Sequence, residues 1–229
     1  MTALLKTHKA ILNSTTLYQK NIHDPKDYKF KAIKASTNKK LGKKVTKGKL
    51  KNAKMYTLTL VERETCTNEC EHYLDCYGNN MPFAHRIKAN DNIYQLLDND
   101  LNELDKKNKP YLIRLHVLGD FFSVDYVNYW QKQLEDRPNL NIYGYTRYHT
   151  TMNDINEAMI GLAIDSIRIQ YPYRFMIRFS NDTTKEFSAH SEEVTTNGIA
   201  CLVQENKTDS CGACTLCWTV NKPIIFKTH

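Results

Sequence analysis

The chain has 229 residues, 41% of them hydrophobic, and a formal net charge of +7. That length suits one domain or at most two, with enough apolar material for a real core. A membrane or secreted protein is not expected: the apolar stretch around Ile160-Gly-Leu-Ala-Ile164 is far too short to cross a bilayer, no lipidation motif is visible, and Lys6, His8 and Lys9 interrupt any signal-peptide core.

In chain order, the first distinctive segment is basic. Between Lys29 and Lys54 there are 11 lysines and no acid, densest at Lys39-Lys-Leu-Gly-Lys-Lys44. This reads as a loop or extended arm, residues 1–54, ahead of a single α/β metal-binding domain over 55–229. Lysine at this density suits phosphate backbones or another polyanion, with a solvated tail as the plainer reading, and in either case carries no base-reading information.

Met55 to Val61 reads as a strand. The spacing of Ile93, Leu96, Leu97, Leu101 and Leu104 predicts a helix over 91–107, ended by Pro110. Tyr111 to Val117 is a second strand. Ser123 suits the N-cap of a helix carrying Val127, Trp130 and Leu134 on one face, stopped by Pro138. Asn141 to Thr146 is a third strand, and residues 154–164 a helix with Ile155, Met159 and Leu162 at helical spacing. Arg174 to Phe179 is a fourth strand. Strands alternating with helices predict an α/β fold: a mostly parallel sheet or a partial (β/α) barrel with crossover helices, followed by a Cys-rich C-terminal segment.

The seven cysteines fall in two clusters: Cys66, Cys70 and Cys76 after the first strand, and Cys201, Cys211, Cys214 and Cys217 near the C-terminus. Thiolates at short spacing are what zinc and iron–sulfur clusters require. A disulfide framework would need a secreted context and an even count. The overlapping spacing of Cys211, Cys214 and Cys217, with Cys201 as fourth ligand, favours a [4Fe–4S] cluster, with zinc as the alternative metal. The triplet offers three thiolates, which leaves one iron open for catalysis or for completion by His72 or an external group.

In parallel α/β folds chemistry gathers at the C-terminal strand ends. Here these carry the triplet, then His116, Gly119 and Asp120, then Tyr145, Thr146 and Arg147, then Arg178, Ser180 and Asn181. Asp120, His116 and Asn181 are the catalytic candidates, and Gly119, Asp120 and Thr146 the cofactor-binding ones. The plainer reading makes Asp120 and Asn181 turn residues and His116 a buried core histidine.

The run from Cys70 to Arg86, with Arg114-Leu-His-Val-Leu-Gly-Asp-Phe-Phe-Ser123, Gly144-Tyr-Thr146, Ile177-Arg-Phe-Ser-Asn181 and Cys211-Gly-Ala-Cys-Thr-Leu-Cys-Trp218, resembles the phage "gene product 88" family over roughly Lys40 to His229. The resemblance implies a bacteriophage or prophage origin, hence a host cytoplasm, and little biochemistry. A weaker similarity runs to radical S-adenosylmethionine enzymes, which place three cysteines after the first strand and a glycine motif after the second. In that resemblance Gly119 and Asp120 would hold S-adenosylmethionine. The usual spacing is Cys-x₃-Cys-x₂-Cys, whereas five residues separate Cys70 from Cys76, Asp75 replaces the aromatic before the last cysteine, and a single glycine stands for the pair. Two functions follow as expectations: an iron–sulfur enzyme with radical-type or redox chemistry, or a non-enzymatic metal-binding protein that meets nucleic acid or a host protein through its lysines.

Overall fold

The computed structural model describes residues 7–27, 29–195 and 197–227. Its strands, in chain order, are β1 (Ile22–His23), β2 (Lys34–Ala35), β3 (Lys54–Thr57), β4 (Arg86–Ile87), β5 (Tyr111–Leu115), β6 (Leu140–Thr146), β7 (Phe175–Ser180), β8 (Ser188–Ser191), β9 (Ile199–Ala200) and β10 (Ile224–Phe226). The helices are α1 (Lys9–Leu12), α2 (Ile93–Asp105), α3 (Val124–Asp136), α4 (Ile155–Gln170), α5 (Cys211–Cys214) and α6 (Leu216–Thr219).

Eight strands form one sheet in the order β2-β3-β5-β6-β7-β8-β10-β9, and β1 pairs with β4 apart from it. Every neighbour in the large sheet is parallel except β2 against β3. The sheet stays open from β2 to β9, so of the two architectures expected the parallel sheet is the one formed. Because β3, β5, β6 and β7 lie side by side in chain order, crossovers of one hand carry α2, α3 and α4 onto the same face.

That face holds the larger core. Leu96, Leu97 and Leu101 of α2 and Val127, Trp130 and Leu134 of α3 pack against Ile113, Leu115, Ile142, Phe175 and Ile177. Full burial of one such aliphatic or aromatic side chain contributes about 1.5–3 kcal/mol. The caps are those the residue types favour: Ser123 Oγ accepts from the Tyr126 amide at 3.1 Å, and Asp154 Oδ1 from the Asn156 and Glu157 amides at 2.8 and 3.1 Å. The α4 face differs from the expected one. Ala158, Ile160, Gly161, Ile164 and Ile167 turn inward, while Ile155, Met159 and Leu162 are exposed. Gly161 fixes which face turns inward, because α4 approaches closely there: a Cβ on Gly161 would stand 2.5 Å from the His149 carbonyl oxygen.

The second face is covered by the two segments the sequence placed at opposite ends. Val45, Ala53 and Met55 form a core with Leu112, Tyr143, Met176, Phe187, Cys217 and Trp218. The lysine-rich segment is thus laid along the sheet through a series of turns, with Val45 and Ala53 inward and its lysines outward. Backbone bonds staple it to the cysteine tail: the Cys211 amide donates to the Lys40 carbonyl at 2.8 Å, the Gly212 amide to Leu41 at 3.0 Å, and the Thr46 amide to Gly212 at 3.0 Å. Gly212 permits this approach, since a Cβ there would lie 2.3 Å from the Lys44 carbonyl oxygen.

Candidate metal centres

The loop after β3 brings the triplet over the C-terminal strand ends. All seven cysteines are free thiols. Burial raises Cys66 far above the usual thiol range, with the Asp120 carboxylate and then the charges of Cys70 and Cys76 adding to it. Burial likewise pushes Cys70 up to about 11, and Cys76 upward. The three sulfurs therefore stand near enough to repel one another as thiolates. Three uncompensated thiolates in an enclosed loop are unfavourable, and a bound cation reverses that sign.

Two buried arginines set the loop's course. Arg63 donates from Nε to the Tyr73 carbonyl at 2.8 Å, from NH2 to Asn79 Oδ1 at 2.7 Å and from NH1 to the Thr15 carbonyl at 3.1 Å. Arg86 donates from Nε to Glu62 Oε2 at 2.7 Å and from NH2 to Glu62 Oε1 at 3.1 Å, and also reaches the Gly78 carbonyl at 3.1 Å. Both side chains of that ion pair are fully buried. The Gly78 amide in turn donates to Cys76 Sγ at 3.4 Å. His72 lies outside this enclosure, exposed and facing Asp75 at 3.5 Å.

The candidate residues at the strand ends gather under the loop, and most of their polar atoms are engaged there. Asp120 Oδ1 accepts from the Phe121 amide and Oδ2 from the Arg147 amide, each at 2.8 Å, while its own amide donates to Thr65 Oγ1 at 3.1 Å. Burial pushes its carboxyl up to about 7 against these bonds and one with Thr146. Thr146 Oγ1 accepts from the Tyr148 amide at 3.1 Å. Gly119 has φ +78°, and a Cβ there would stand 2.5 Å from Thr65 Oγ1 and 2.7 Å from Leu60 Cβ, so the open side of this glycine is filled by the chain itself. Asn181 donates to Glu71 in the triplet loop and accepts from the Ser191 amide at 3.1 Å. His116 turns away from the triplet: Nε2 lies 3.0 Å from the Tyr126 hydroxyl, and Phe121 meets the ring edge-on at 4.8 Å. Burial, helped by Arg114, lowers its pKa to about 3, so it is a neutral core histidine.

The quartet assembles on the second face. Cys201 from the segment after β9 and Cys211, Cys214 and Cys217 from α5 and α6 line one small pocket of about 10 Å³, walled by Leu202, Val203, Leu216 and Ile224. Burial pushes Cys211 up to about 12, with the charges of Cys217 and Cys201 adding to it. Tyr145 donates its hydroxyl to Cys217 Sγ at 3.0 Å. Beneath α6, Arg178 donates to five backbone carbonyls, those of Cys217, Leu216, Val220, Lys222 and Ser188, at 2.7–3.3 Å. Among the described residues no group of three or more His, Cys, Asp or Glu is arranged to hold a single metal ion.

Strand parity explains what the sequence reading misplaced. Tyr145 and Arg178 were grouped with the strand-end residues of the triplet side, yet they pair across β6 and β7 and face the quartet. Their alternation with Tyr143 and Met176, both in the second core, was the available signal. Arg114 joins the two sites. Its guanidinium lies over the Tyr145 ring at 4.5 Å, and its charge acts on Asp120 on one side and on Cys211 on the other.

Comparison with known proteins finds that the profile of a family described as Gene product 88 matches residues 28–163, which include the triplet and exclude the quartet. The "Gene 88 protein" of Mycobacterium phage L5 is 26% identical over 141 residues, 56% of this chain and 59% of that protein. The "Gene 88 protein" of Mycobacterium phage D29 is 36% identical over 56 residues, 24% of this chain and 23% of that one. The matched segments thus span less than two thirds of either relative. No solved structure matches the chain. No helix among the described residues is long and apolar enough to cross a membrane.

Proposed function

The chain belongs to the Gene product 88 family, and we propose that it is an iron–sulfur protein with two thiolate sites, a closed one at Cys201, Cys211, Cys214 and Cys217 and an open one at Cys66, Cys70 and Cys76. The observation that carries this reading is the convergence of all four C-terminal cysteines, one of them from a separate segment, on a single small apolar pocket. The donor set fits a cluster: four free thiols, a mostly apolar lining, and the Tyr145 hydroxyl aimed at a sulfur. What favours a cluster over zinc is the overlapping spacing of Cys211, Cys214 and Cys217, since four thiolates serve either metal. A cluster supplies electron storage in the closed site. The open site leaves one iron free of protein thiolate. A reducing host cytoplasm is the compartment in which such thiols stay available.

S-adenosylmethionine at the open site is not carried further. Gly119 and Asp120, which that resemblance would place on it, are packed or bonded within the protein, as is Thr146. The test is anaerobic purification with iron, acid-labile sulfide and zinc assays. Iron and sulfide in near-equal amounts support the reading, as does their partial loss in Cys214→Ser with the triplet still loaded. Stoichiometric zinc without sulfide overturns it.

A further inference from the structure

We propose that the groove between β2, β3 and α2 binds the phosphate backbone of single-stranded nucleic acid. This depression of about 610 Å³ is lined by Lys29, Lys31, Lys34, Lys54 and Lys107 over a floor that includes Ile33, Tyr56 and Leu104. Five cations therefore face one concavity. The acid in the lining, Asp100, has an oxygen occupied by the Ala32 and Ile33 amides at 2.7 and 2.9 Å. Among the described residues none of the five lysines makes an ion pair within 4.0 Å. Lys107 Nζ donates to the Tyr56 hydroxyl at 3.2 Å, which holds it at the rim. Burial lowers the ammonium pKa of half-buried Lys34, and the charge of Asp100 opposes that shift.

The shape selects the partner. A bilayer surface needs a flat or protruding basic face, and a duplex is a rod too wide and stiff to enter a depression of this size. A flexible strand can follow a concave groove, set its phosphates on the lysines and rest base faces on the apolar floor. The lysines between Lys39 and Lys51, the densest part of the sequence, belong to the segment stapled to the cysteine tail and are absent from the groove's lining. The site stands independently of any metal at the cysteines.

The experiment is fluorescence anisotropy of a labelled oligothymidylate with the full chain, over a salt series. Lys31→Gln/Lys34→Gln/Lys54→Gln should weaken binding by about tenfold or more and lower the slope of log affinity against log salt by about 2, from roughly 0.7 per lost phosphate contact. Lys39→Gln/Lys43→Gln/Lys47→Gln, with the same change in net charge, should stay within about twofold of wild type. If the first variant fails to fold, Lys29→Gln/Lys107→Gln carries the same direction of expectation. Absence of wild-type binding at low salt overturns the proposal, and so does equal loss in both triple variants. Preference for duplex of equal length, or for phosphatidylserine vesicles over oligothymidylate, overturns it as well.

Discussion

Tyr145 and Cys217 meet at 3.0 Å, a hydroxyl of the central sheet against a sulfur of the C-terminal tail. A hydrogen bond to a ligating sulfur offsets negative charge and so favours the reduced cluster. Tyr145→Phe should keep the metal and lower the reduction potential of the closed site by about 40 mV, the equivalent of a hydrogen bond of about 1 kcal/mol for one electron. Electron paramagnetic resonance during a redox titration measures it. An unchanged potential in a fully loaded variant would remove Tyr145 from the site.

Arg178 should be the most sensitive single position for the tail. Removing it leaves five carbonyls, those of Cys217 and Ser188 in buried bonds, without their donor. Arg178→Leu is expected to cost about 3–5 kcal/mol and to strip metal from the closed site. Arg178→Lys should rescue little, because an ammonium cannot span the same fork of acceptors. Urea unfolding together with sulfide content checks both.

The Glu62–Arg86 pair gives a separable prediction for the open site. Glu62→Gln leaves a buried guanidinium without its counter-charge and should cost about 3–5 kcal/mol, whereas Glu62→Leu/Arg86→Met should cost less than the sum of its single changes. A double-mutant cycle by denaturant melts reads the coupling. Iron loss confined to the triplet would show that the pair positions the loop.

His116 makes stability depend on pH. Its folded pKa of about 3 lies below its ordinary value of 6.5. Above pH 6.5 both states are neutral. As the pH falls toward 3 the unfolded chain takes a proton that the folded chain refuses, and stability declines by about 2 kcal/mol at pH 5. Asp120, raised to about 7, acts in the opposite sense, since its stability is lost as pH rises from 3.8 toward 7. The measurement is therefore the stability of wild type minus that of His116→Gln, which should fall by about 2 kcal/mol as pH falls from 7 to 5. Parallel melting curves would refute it.

The sequence made the strand and helix alternation legible because apolar runs of the right length were punctuated by Pro110, Ser123 and Pro138. It also brought Cys66, Asp120, Thr146 and Asn181 to one edge, which follows from parallel order alone. The inner face of α4 was not legible, because apolar residues occupy both of its sides and the choice depends on how closely Gly161 can approach the loop at His149. Strands β8, β9 and β10 were missed as well. Ser188-Ala-His-Ser191 has no apolar alternation, and Ile199–Ala200 is too short to carry a pattern. Val45 and Ala53 were hidden among lysines, so the segment's inward face left no periodic signal.

The bond from the Cys211 amide to the Lys40 carbonyl has a consequence for synthesis. On the ribosome the helical layer can close as soon as β7 has emerged, but the opposite side of the sheet must wait for the segment that carries Cys217 and Trp218. Until then the nascent chain displays Met55, Leu112, Tyr143 and Met176 to solvent, a long-range closure of the kind that folds slowly and invites self-association. A chain cut before Cys201 would remain in that half-covered state.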